Sequence, residues 1–135
     1  MKNEKLRNEG VRVRPGRKGM RENVIKNKSY DFALRIVKLC QNLRNQHEYI
    51  LSRQLLRSGT SIGANVEEAD VAFSKKDFIY KMQIALKEAK ESHYWIRLLR
   101  DSNYLDKVEA ENLLEECNEL IYLLVAILKK SKRNE

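Results

Sequence analysis

One proline, Pro15, and five glycines are all that interrupt 135 residues. The chain after Pro15 therefore lacks the side chain that most strongly breaks a helix. From residue 29 to about 130, apolar residues recur at steps of three and four, the spacing of one face of an α-helix. Long stretches of this kind with few breakers leave room for little except helices joined by short loops. A chain of this length makes one domain and buries a core without help from disulfides or metals.

The pattern divides into four. Ser29 is placed to cap a first helix running to about Arg44, with Phe32, Ala33, Ile36, Val37, Cys40 and Leu43 as its apolar face. The polar stretch from Asn45 to Glu48 turns the chain, and a second helix runs from about Tyr49 to Val71. Its middle (Ser58, Gly59, Thr60, Ser61, Gly63, Ala64) is built of small residues, which either kink a helix or admit another backbone at close range. Ser74 with Asp77 three residues on opens a third helix ending near Asp101, and Asp106 with Glu109 opens a fourth ending near Lys130. At 1.5 Å per residue the first helix should span roughly 24 Å and the other three roughly 35–40 Å. Short loops between such helices predict an all-α, antiparallel, up-down-up-down four-helix bundle over residues 29–131, with 132–135 as a tail. The run from Leu120 to Leu128 is apolar on every side, which predicts self-association, because a helix of a lone bundle keeps one face wet.

The net charge of +8 is unevenly placed. Residues 1–28 hold ten Lys/Arg against three Glu, a surplus of seven, while the rest hold 17 basic against 16 acidic residues. This leader has too few apolar residues to offset the entropy of ordering and is expected to be disordered. It reads either as a solvated tail, with Met20 as a second start, or as a basic arm for phosphates. Nothing in it resembles a signal peptide, and the longest apolar run has nine residues, short of the roughly 20 of a membrane span. Cys40 and Cys117 fall inside helical patterns and read as buried thiols of a reducing, cytoplasmic setting.

Chemical motifs are weak. Gly59-Thr60-Ser61-Ile62-Gly63 matches the G-x-S-x-G of a nucleophile elbow, but that turn needs a preceding strand and a later acid and His. His47 and His93 follow Arg44 and Lys90 at the offset where a di-iron bundle needs Glu. No phosphate-binding loop or zinc-ligand cluster occurs. The expectation is a non-enzyme with no catalytic residue, cofactor or metal. Glu67, Glu68 and Asp70 form an acidic knot and Glu88 and Glu91 lie on the next helix; one or two of these carboxylates are expected to bond Asn65 or Arg57 across helices, with the rest solvated. Arg53 and Arg57 make one basic ridge, and Lys75, Lys76, Lys81 and Lys87 another.

The segment from Gln54 to Ala69, with Arg57, Ser61, Asn65 and Glu68, resembles the central block of the 23S rRNA intervening-sequence proteins. Ser74-Lys75-Lys76-Asp77-Phe78-Ile79, Ile84-Ala85-Leu86 and Glu91 follow in the family's order, and Ser29-Tyr30-Asp31-Phe32 resembles its opening. The resemblance covers residues 29–130. Leu56 replaces one of a pair of arginines, Gly63 stands where proline is common, and the basic leader lies outside the pattern. The resemblance implies a left-handed four-helix bundle in a homopentameric ring, encoded in or near inserts in bacterial ribosomal RNA genes. It extends to the accessory variability determinant proteins of diversity-generating retroelements, pentameric bundles that bind nucleic acid and a reverse transcriptase. It brings no catalytic residues. Arg57, Ser61, Asn65, Glu68 and Glu91 are expected to serve in structural hydrogen bonds.

Two functions follow. In one, an oligomeric accessory module binds RNA or DNA without reading sequence, through Arg12, Arg14, Arg17, Lys18 and Arg21 of the leader and Arg53, Arg57, Lys75, Lys76 and Lys81 of the bundle. In the other, the assembly is a scaffold for an unidentified protein partner, with no nucleic-acid role. Neither involves a membrane.

Overall fold

The computed structural model describes residues 20–133. They form four helices and, among the described residues, no strand: α1 (Met20–Asn45), α2 (Ile50–Asp70), α3 (Lys75–Asp101) and α4 (Lys107–Arg133). Each packs against two neighbours in the cyclic order α1, α2, α3, α4 and back to α1, around one shared core. Ile36, Leu43, Leu55, Ile62, Met82, Ile96, Leu99, Leu113, Leu120 and Leu124 are among its fully buried side chains. Truncating one such residue to Ala typically costs about 2–5 kcal/mol.

The first helix corrects the sequence reading. It starts at Met20, not Ser29, so residues 20–28 belong to the bundle and only 1–19 of the expected leader fall outside the described residues. Ile25 is the reason. It stands on the same stripe as Ser29, Phe32 and Ile36 and is completely buried, so the helix continues back to cover it. Ser29 is a buried mid-helix residue whose hydroxyl donates to the Lys26 carbonyl. The short helix is therefore α2, with 21 residues, and α1 has 26.

The small residues of α2 admit a neighbour rather than kink the helix. A Cβ on Gly59 would lie 2.9 Å from Ile36 Cγ2, and one on Gly63 would lie 3.4 Å from Ser29 Oγ. Side-chain contacts set the registers. Lys26 meets Asp70 and the Cys40 thiol donates to the Ser52 carbonyl at 3.3 Å; Ser92 Oγ donates to Ser58 Oγ at 2.8 Å; the Cys117 thiol donates to the Ala89 carbonyl at 3.2 Å.

Helix ends follow local chemistry. Ser74 caps α3 by accepting from the Asp77 amide at 3.1 Å, and Asp106 accepts from the Glu109 amide at 3.1 Å, both as the spacing predicts. α2 is capped differently. The buried Glu48 carboxylate accepts from the amides of Ile50, Leu51 and Ser52 at 3.2, 2.9 and 2.7 Å. It thereby takes up three of the four amides that a helix start leaves without partners.

Candidate nucleic-acid interface

The family-like residues line the seam between α2 and α3. Arg57 reaches across to α3 and grips Glu88 with both terminal nitrogens, at 3.2 and 3.0 Å, and Nη2 also meets Glu91 at 2.7 Å. Glu91 accepts in addition from the Trp95 indole at 2.9 Å. Hydrogen bonds from Arg57 and then Trp95 hold the Glu91 carboxyl below its ordinary range, and the bonds that Arg57 donates to Glu88 and Glu91 push its guanidinium further up. Ser61 donates to the Arg57 carbonyl at 2.5 Å and Asn65 to the Ser61 carbonyl at 2.8 Å. These bonds stay within α2, so Asn65 does not reach the acidic knot.

The acidic knot has other partners than those expected. Lys26 bonds Asp70 and lies 3.9 Å from Glu67; Lys81 bonds Glu68 at 2.8 Å. Arg57 serves Glu88 and Glu91, two of the carboxylates expected to bond an arginine across helices. The partners stand 31 and 34 positions from Arg57 in sequence, and the α2–α3 register brings them together. Glu68 is exposed, since Lys81 meets it at the surface rather than between the helices. The seam is thus a charge-paired strut, and nothing on it is arranged as an acid, base and nucleophile.

This pairing sorts the candidate phosphate contacts. Arg57 and Lys81 are committed to carboxylates, and the bond to Glu68 holds the Lys81 ammonium above its usual value. Arg53 is exposed in the first turn of α2, and Lys75 and Lys76 are exposed in the first turn of α3. Some 17 helical residues, about 25 Å, separate the level of Arg53 from that of Asp70 beside the α3 start, so the five do not form one patch. Arg21 lies in the first turn of α1, and Arg12, Arg14, Arg17 and Lys18 lie outside the described residues.

The helix registers instead gather a different set. Cys117 of α4 bonds Ala89 of α3. Thirteen residues back from Ala89 stands Lys76, and thirteen on from Cys117 stands Lys130. The last turns of α4 therefore end beside the start of α3, and exposed Lys129, Lys130, Lys132 and Arg133 join exposed Lys75 and Lys76. The start of α1 reaches the same end, since Lys26 meets Asp70 and Lys28 meets Glu119 at 3.2 Å. The nearby carboxylates are engaged: Asp70 and Glu67 by Lys26, Glu68 by Lys81, Asp77 by the Phe73 amide. The run Lys129-Lys130-Ser131-Lys132-Arg133 was visible in the sequence, but as a helix end and tail. Only the register of three helices makes it part of a cationic end.

Among the described residues, no group of three or more His, Cys, Asp or Glu could hold a metal ion, and no helix is long and apolar enough to cross a membrane. An open depression of about 600 Å³ at the α3–α4 turn is lined by Arg100, Asp101, Asn103, Leu105, Lys107 and Glu111. Arg100 there pairs with both Asp101 and Glu111.

The comparisons with known proteins agree with this architecture. The chain is similar to a crystal structure from Bacteroides thetaiotaomicron, a protein with unknown function from the S23 ribosomal protein family, at 48% identity and a TM-score of 0.80. The match covers 82% of this chain and 99% of that one. No curated protein matches. The family described as 23S rRNA-intervening sequence protein matches residues 21–126. A match over that span, on a bundle whose central block lines the α2–α3 strut, makes this chain a member of the 23S rRNA-intervening sequence protein family.

Proposed function

We propose that the chain is a non-enzymatic accessory protein that binds nucleic acid through basic side chains without reading its sequence. In this reading it is a left-handed, up-down-up-down antiparallel bundle assembled as a homopentameric ring in the cytoplasm. The observation that carries the binding reading is the cationic end, where Lys75, Lys76, Lys129, Lys130, Lys132 and Arg133 are exposed together. Residues 1–19 add seven Lys/Arg against two Glu to the chain at α1, which starts at that same end. Several tethered arms on one ring would act together on a long polyanion.

Self-assembly is supported by exposed apolar residues. Of the run from Leu120 to Leu128 only Tyr122 is exposed. A second set, Tyr30, Leu34 and Val37, repeats along α1 at helical spacing. The same set favours the alternative reading, a scaffold for another protein.

The test is a salt titration of binding to mixed-sequence RNA and DNA, with oligomeric state followed by light scattering. The full chain should bind at low salt, with affinity falling steeply as salt rises, at a log–log slope of about −0.9 per phosphate neutralised on duplex DNA. A chain starting at Met20 retains a net charge of +3 by loss of seven Lys/Arg and two Glu, and both its affinity and its slope should drop. No binding by either at low salt would leave the scaffold reading. A monodisperse monomer would remove the ring.

A further inference from the structure

The cationic end carries one apolar feature. Phe73, in the corner between α2 and α3, is completely exposed, and Val71 beside it is 76% exposed. Single exposed apolar residues are common on proteins and mean little by themselves. Phe73 differs in how it is held and in what surrounds it. Its amide donates to Asp77 Oδ2 at 3.3 Å, while the Asp77 amide donates to the hydroxyl of Ser74 at 3.1 Å. On the other side, the Val71 and Ala72 amides donate to the Glu68 and Ala69 carbonyls, both at 3.2 Å. The corner is thus bonded on both flanks of Phe73, and the ring projects from a fixed backbone. Lys75 and Lys76 follow two and three residues later, and Lys130 lies at the level of Lys76.

An aromatic ring held out of a cationic surface matches a single-stranded nucleic acid. Cations neutralise phosphates in any nucleic acid, but a ring gains only from a base whose face is free, and duplex bases are already stacked on one another. Every base has such a face, so this contact favours single strands without favouring a sequence. An anionic membrane fits less well. Two apolar side chains on a corner bury little in a bilayer, and interfacial binding draws on a whole apolar helix face.

We propose that Phe73 is a stacking platform and that the cationic end prefers single-stranded RNA or DNA over duplex. The inference rests on the nucleic-acid reading above and adds to it the class of strand and the residue that selects it.

The test uses the full chain and the fluorescence anisotropy of two labelled probes, a mixed-sequence single strand of about 16 nucleotides and a duplex of the same sequence. Phe73→Ala should weaken single-strand binding about tenfold and leave duplex binding unchanged. Phe73→Trp should preserve it. The pair Lys75→Glu and Lys76→Glu should weaken both probes. If Phe73→Ala leaves single-strand binding intact, or weakens both probes equally, the stacking platform is wrong while the electrostatic reading stands. If wild type binds neither probe at low salt, both fall. Loss of self-association in Phe73→Ala, or loss of binding to vesicles of anionic phospholipid, would assign the ring to a contact between copies or to a membrane, and overturn the proposal.

Discussion

The two ends of the bundle are built on opposite principles. At one end lie the α1–α2 and α3–α4 turns, each closed in the same way. Glu48 and Tyr104 amides reach back to the Leu43 and Leu99 carbonyls, both at 2.9 Å. His47 and Asn103 amides reach the Arg44 and Arg100 carbonyls, at 2.9 and 3.1 Å. His47 and Asn103 supply the left-handed residue of these paired Schellman motifs, with φ of 68° and 67°. Charges there pair among themselves, as Arg100 does with Asp101 and Glu111, and the Glu48 carboxylate is spent on three amides. At the other end Glu67, Glu68 and Asp70 pair with lysines, and Lys75, Lys76, Lys129, Lys130, Lys132 and Arg133 are exposed. Polar groups that satisfy one another contribute to the fold, and exposed charge of one sign concentrated at one end sets up a field for a charged partner. Substitutions at the turn end should therefore act on stability, and those at the cationic end on binding.

The largest stability effect should come from Glu48→Ala. It strips the acceptor from three amides of the first turn of α2, one of them buried, at a cost of about 3 kcal/mol. Thermal melting measures this, and nucleic-acid binding should not change. A variant that lost binding at unchanged stability would break the contrast between the ends.

Arg57→Ala falls between. It leaves the largely buried Glu88 and the half-buried Glu91 without their cation. With the Arg57 side chain 49% exposed, solvent screening limits the loss to about 1–2 kcal/mol at neutral pH. The pH dependence follows from Glu91. Its carboxyl is held below the ordinary value, so its contribution is present above that value, near 4.5, and is lost as pH falls below it. Urea melts of wild type and variant should converge on acidification. A gap that stayed constant to pH 3 would mean that packing of the arginine stem, rather than the ion pair, supplies the stability.

The smallest effect should be a gain. His47→Gly relieves a non-glycine residue of a left-handed conformation and gives up the contact between His47 Nδ1 and Tyr49 Oη at 3.0 Å. The balance should be a stabilisation of up to about 1 kcal/mol, and smaller for Asn103→Gly, because Asn tolerates this conformation better. A loss of stability would show that the exposed His47–Tyr49 contact outweighs the backbone term.

What was readable in the sequence depended on how local its cause is. Core stripes at three- and four-residue steps, the Ser74 and Asp106 caps and the small-residue face of α2 are written within a few residues each, and the four helices with their three turns follow from them. The start of α1 was missed because one residue, Ile25, inside a charged stretch decides it. The Glu48 cap was missed because glutamate is not a usual cap type, and only burial aims its carboxylate at three amides. Arg57 with Glu88, and Lys76 level with Lys130, are long-range coincidences of register. Neither spacing nor composition encodes those, although Gly59 against Ile36 helps to set them.

The two thiols hold a practical consequence. Cys40 and Cys117 are buried, each donates to a carbonyl of a neighbouring helix, and burial pushes them up to about 11 and about 12. Thiolate is the species that attacks alkylating reagents and disulfides, so both buried thiols are poor nucleophiles near neutral pH. The folded protein is therefore a cysteine-free background in all but composition. A Phe73→Cys or Lys132→Cys variant would carry a single addressable thiol, and a dye or spin label attached there would report on the cationic end alone.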